Sequence, residues 1–100
     1  MTVRARRRAP DRMPVTAEAI AAALREALEP SDLAVQDDSH LHAGHAGARE
    51  GGHFHVTVRS ERFTGLQRVA RHRLVYHCLS DLMQRGIHAL AIDAKAPGEP

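Results

Sequence analysis

His53-Phe54-His55-Val56-Thr57-Val58-Arg59 alternates apolar and polar residues without a break. Phe54, Val56 and Val58 fall on one face, and His53, His55, Thr57 and Arg59 on the other. A period of two marks a strand buried on one side only. The chain therefore carries a sheet with one face on a core and one face toward water. On this reading His53 and His55 face solvent and are not expected as metal ligands.

Working upstream, Leu33-Ala34-Val35-Gln36-Asp37 reads as a shorter strand, joined to the first by a loop from Asp38 to Gly52. Connections of that length are usually functional or disordered. Before it, Thr16 is a good N-cap and Glu18 puts negative charge at the positive end of a helix dipole. Ile20, Ala23, Leu24, Ala27 and Leu28 recur at helical spacing, and Pro30 closes a helix over 17–29. Downstream, Phe63-Thr64-Gly65 reads as a turn, with a short helical segment starting at Thr64 or Gly65 and running through Arg68. Val75, Cys78, Leu79 and Leu82 then stand at i, i+3, i+4 and i+7, which predicts a helix over 70–85 with Gly86 as C-cap. Ile87 to Ile92 is an apolar run read as a strand, and Ala96 to Pro100 is expected as a loose tail. The order αββααβ predicts an α+β fold, a three-stranded sheet with helices packed on one face.

Charge is distributed unevenly. Residues 1–12 hold five arginines against one Asp, a local charge of +4. The other 88 residues hold nine basic and eleven acidic groups, a charge of −2. The basicity thus belongs to a short arm, expected as a disordered tail over 1–12, followed by one domain over 13–97 and a tail over 98–100. A basic arm can also grip phosphates. With only Phe54, Phe63 and Tyr76 aromatic, base stacking has few candidates. No apolar stretch approaches the roughly 20 residues of a membrane-spanning helix, and no secretory h-region follows the basic start. The single cysteine, Cys78, cannot form an internal disulfide, which fits a reducing, cytoplasmic setting. On its apolar stripe it reads as a small inert core residue. Ser39, Ser60 and Ser80 lack an evident base and orienting group, so no enzyme is expected.

Histidine is where the chemistry concentrates. Five of eight histidines lie between His40 and His55, three of them in the Gly- and Ala-rich run Asp37-Asp38-Ser39-His40-Leu41-His42-Ala43-Gly44-His45-Ala46-Gly47. Ile87-His88-Ala89-Leu90 answers it late in the chain. Neutral imidazole is the commonest protein ligand for zinc, copper and iron. One mobile and one rigidly held imidazole could share a metal; a solvated polar loop is the plain alternative. For His88 the residues alone favour a buried, backbone-bonded side chain.

Several segments together carry a family resemblance. They are Asp38-Ser39-His40 with a following loop histidine, Gly52-His53-Phe54-His55-Val56, and Arg62-Phe63-Thr64-Gly65. Arg71-His72-Arg73-Leu74-Val75-Tyr76, Ile87-His88-Ala89-Leu90 and Ala96-Pro97 complete the set. In that order and spacing, from about Asp37 to Pro97, the chain resembles the BolA family. The resemblance implies a class II KH-like αββααβ fold and partnership with a monothiol glutaredoxin. It implies a protein that is monomeric alone and heterodimeric with its partner. Within the heterodimer a [2Fe-2S] cluster would be shared with glutaredoxin and glutathione, none being expected in the isolated protein. It points to His88 as one nitrogen ligand and to a loop histidine, His42 or His45, with His40 also open, as the other. Imidazole in place of thiolate raises a cluster's reduction potential, and must be deprotonated to bind.

Arg71, His72 and Arg73 stand near the start of a helix, where basic groups oppose the dipole. They are expected to contact an acidic partner surface or, since some members of the family regulate transcription, DNA phosphates. A solvated face is the bland alternative. RNA binding does not carry over. The Gly-x-x-Gly pattern at Gly44-His45-Ala46-Gly47 lies between strands, and Gly65-Leu66-Gln67-Arg68 between the helices lacks the second glycine.

Overall fold

The computed structural model describes residues 15–39 and 52–100. The expected basic tail and the loop histidines His40, His42 and His45 lie outside the described residues.

Helix α1 (Ala17–Leu28) begins where Thr16 Oγ1 accepts the Ala19 N–H at 3.1 Å, as its N-cap position requires. It buries Ile20, Leu24 and Leu28, with Ala23 and Ala27 packed beside them. Glu29 turns the chain out of the helix in the left-handed region (φ 47°) just before Pro30. Strand β1 (Asp32–Asp37) pairs antiparallel with β2 (Gly52–Arg59), which pairs parallel with β3 (Ile87–Lys95). The sheet order is β1-β2-β3. Phe54, Val56 and Val58 of β2 are buried while His55 and Thr57 are exposed, so the alternation that defined the strand also defines the two faces. The fold is α+β, with the helices on the face that Phe54, Val56 and Val58 present.

The helical region after β2 departs from expectation. Residues Glu61–Phe63 form a single 3-10 turn, and no helix begins at Thr64 or Gly65. Gly65 sits at φ +82°, a conformation that an L side chain rarely adopts, and Gln67 is extended. The expected helix over 70–85 is two helices, α2 (Arg68–Cys78) and α3 (Ser80–Gly86), divided at Leu79. Leu79 still donates to Val75 O, and Met83 N–H reaches Leu79 O at 2.8 Å. The apolar stripe runs through this one-residue kink, which is why it reads as continuous. Gly86 is the last helical residue rather than a cap beyond it, and Ile87 enters β3 directly.

Phe63, Val75, Leu79, Leu82, Ile87 and Ala96 close the core. Ala96 is 4% exposed, so the final segment is not loose. Ser60, the one buried polar side chain among the described residues, joins distant parts. Its Oγ donates to Leu28 O at 2.7 Å and accepts from Arg62 N–H at 3.0 Å. No buried side-chain polar atom lacks a partner among the described residues.

Candidate functional site

The neighbourhood of His88 is built by an irregularity in the sheet. Gly52 pairs with Ile87, but His53 pairs with Ala89, so His88 is an extra residue opposite a single step of β2. Such a bulge re-aims a side chain. By simple alternation His88 would share the inner face with Leu90 and Ile92, both packed on the core. The shift turns it outward instead: His88 is exposed, and its ring centroid lies 5.1 Å from that of His53, with planes tilted by 48°. The buried, backbone-bonded reading of His88 is therefore set aside by its geometry.

His53 is held from both sides along its backbone. Its N–H donates to Ser39 Oγ at 3.0 Å, and its carbonyl accepts from Asp38 N–H at 2.7 Å. Asp37 in turn accepts the Ser39 N–H at 2.9 Å, an Asx turn at the end of β1. Asp37-Asp38-Ser39 thus fastens the end of β1 to the start of β2. Gly52 completes the corner. A Cβ there would run into the Phe54 ring and stand 3.2 Å from Ser39 Oγ. Two imidazoles therefore stand side by side on one rim of the sheet. No group of three or more potential ligands occurs among the described residues.

The basic residues of α2 divide. Arg71 is turned inward, its side chain 13% exposed, and donates to Leu66 O at 2.8 Å, to Ala94 O at 3.1 Å and to both Glu99 oxygens at 2.6 and 2.8 Å. The hydrogen bond from Arg71, aided by the Ala96 N–H, lowers the Glu99 carboxyl to about 2; the same bond raises Arg71 further above its ordinary value. Arg59 adds bonds to Ala96 O and Glu99 O. These contacts, invisible in a Pro- and Gly-rich ending, are what fasten the final segment. Arg68 and Arg73 are exposed and His72 is half-buried. Arg68, Arg71, His72 and Lys95 line a cleft of about 430 Å3 that also holds Asp93 and Glu99. Cys78 packs half-buried against the core, and desolvation pushes its thiol up, leaving little thiolate for chemistry.

These features define a small α+β module with an imidazole pair at one end of its sheet and a charged cleft against α2. A family model described as BolA-like protein matches residues 24–99, and the chain belongs to the BolA family. The protein named BOLA1, chloroplastic, of Arabidopsis thaliana is 45% identical over 80 residues, 76% of this chain and 50% of that protein. This chain thus spans half the length of that relative. The DNA-binding transcriptional regulator BolA of Vibrio cholerae is 48% identical over 69 residues, 69% of this chain and 63% of that one. Among solved structures, the BolA domain of SufE1 from Arabidopsis thaliana superposes with a TM-score of 0.76 at 41% identity, covering 88% of this chain and 99% of that one.

Proposed function

We propose that this chain is a non-catalytic interaction module that binds a monothiol glutaredoxin and gives histidine nitrogen to a [2Fe-2S] cluster shared with that partner and glutathione. The observation that carries the reading is the exposed His88, turned out of the core face by the bulge beside the point where the histidine loop departs. His42 or His45 is the second nitrogen in this reading. When bound, the cluster supplies redox and iron-transfer chemistry. The chain's own part is to hold His88 on a rigid strand and leave it accessible. Mixing the protein with glutaredoxin, glutathione, iron and sulfide tests this. The visible spectrum of the glutaredoxin cluster should change, and His88→Ala should abolish the change. An unchanged spectrum, or an altered one that survives His88→Ala, rejects the reading.

A second reading, direct DNA binding, is supported by the exposed Arg68 and Arg73 and by the name of the Vibrio cholerae relative. Phosphate contacts would make affinity fall steeply with salt. Deleting residues 1–12 separates a tail effect from the folded body. Binding that vanishes with the tail means the body reads no DNA.

A further inference from the structure

We propose that the cleft between the start of α2 and the second half of β3 is a docking groove for an extended, acidic segment of a partner protein, which adds to the edge of β3 as a fourth strand. Successive peptide groups of an edge strand point alternately toward the sheet and away from it. Lys95 O accepts the Ser60 N–H at 3.0 Å on the β2 side, and Ala94 O, turned the other way, accepts from Arg71 at 3.1 Å. By that alternation Leu90 and Ile92 present their N–H and C=O groups along the outer edge, where no described residue bonds them. Sheets commonly guard such an edge with charge, proline or a covering element. Ile87 to Ile92 holds no Lys, Arg, Asp, Glu or Pro, and β3 stands last in the sheet among the described residues.

The cleft beside this edge suits carboxylates. Arg68, Arg71 and His72 line it from the start of α2, whose first turn holds no acidic residue, and Lys95 lines it from β3. Arg71 already grips a carboxylate there, both oxygens of Glu99, to which the Ala96 N–H adds a third bond. The side chains of Arg68 and His72 make no hydrogen bond or ion pair among the described residues, so they stand ready for a second carboxylate. Nucleic acid fits the cleft less well. No aromatic side chain lines it for a base to stack on, and Asp93 and Glu99 repel a phosphate chain. A second copy of this chain would bring β3 itself, whose one acidic residue is Asp93. A peptide with carboxylates at alternate positions satisfies both demands, its backbone continuing the ladder and its side chains reaching Arg68 and His72. The groove lies toward the end of β3 remote from His88 and works without a cluster.

The test titrates the full chain with a short acetylated peptide of alternating glutamate and valine, read by the assigned amide resonances and by anisotropy of the labelled peptide. Saturable binding is expected, with the Leu90 and Ile92 amides shifting together. Methylating the peptide's amides on one edge should weaken binding at least tenfold, and methylating those on the other edge should leave it intact. Lysine in place of glutamate, or Arg68→Ala in the protein, should weaken it at least fivefold. Arg73→Ala, on the same helix outside the cleft, and His88→Ala, which abolishes the spectral change in the cluster reading, should both leave it unchanged. No saturable binding, or binding indifferent to methylation of either edge, overturns the proposal. So does an oligothymidylate that shifts the same amides at lower concentration than the peptide. Self-association that protects Leu90 and Ile92 without peptide assigns the edge to a second copy and also overturns it.

Discussion

Arg71 shows how a residue that reads as surface charge becomes an internal clamp. Its guanidinium joins the turn before α2, the end of β3 and the final segment through Leu66 O, Ala94 O and the Glu99 carboxylate. Arg-His-Arg near a helix start suggested an outward anion contact, because a sequence does not say that Glu99 folds back 28 residues later. With its carboxyl lowered to about 2 against an ordinary 4.5, Glu99 contributes stability that is present above about pH 4.5 and lost as the pH falls toward 2. Glu99→Gln should therefore lower the melting temperature at pH 6, and the gap from the parent protein should close by pH 2. Thermal melts across that range check the sign. Ser60 acts in the same way without charge. Ser60→Ala leaves the Leu28 carbonyl without its side-chain donor and should cost about 1–3 kcal/mol in urea unfolding.

At the scale of elements, the junction of β1, β2 and β3 decides the candidate site. Three local devices meet there: the Asx turn at Asp37, the Ser39 hydroxyl under His53, and Gly52 against the Phe54 ring. A methyl group at Gly52 must displace a buried aromatic ring, and overpacking of that kind costs about 1–3 kcal/mol. Gly52→Ala should lower stability by that amount and separate the His53 and His88 rings, seen as loss of proton contacts between them. The strand pattern itself was fully legible, since Phe54, Val56 and Val58 alternate with exposed partners. The kink at Leu79 was not, because the hydrogen-bond ladder and the apolar stripe both continue across it. The bulge at His88 was equally hidden, since pairing register is a relation between strands and no single strand records it.

Across the whole molecule, one core is shared by every element beneath the sheet. Phe63 is fully buried on a 3-10 turn and joins side chains from α1, β2, α2, α3 and β3. Phe63→Ala should cost about 3–5 kcal/mol. That is a large share of the 5–15 kcal/mol typical of whole domains, and a matching drop in the urea midpoint checks it. The amino-acid sequence by itself determined the order αββααβ, the inner face of β2 and the apolar stripe of α1, because burial periodicity is a local property of the chain. Its motifs also determined the family. Tertiary structure alone decided that His88 points outward beside His53, that Arg71 is held by Glu99 and that the last residues are fastened. Each of those depends on partners distant in sequence, whose meeting is fixed only when the strands take their register and the core closes.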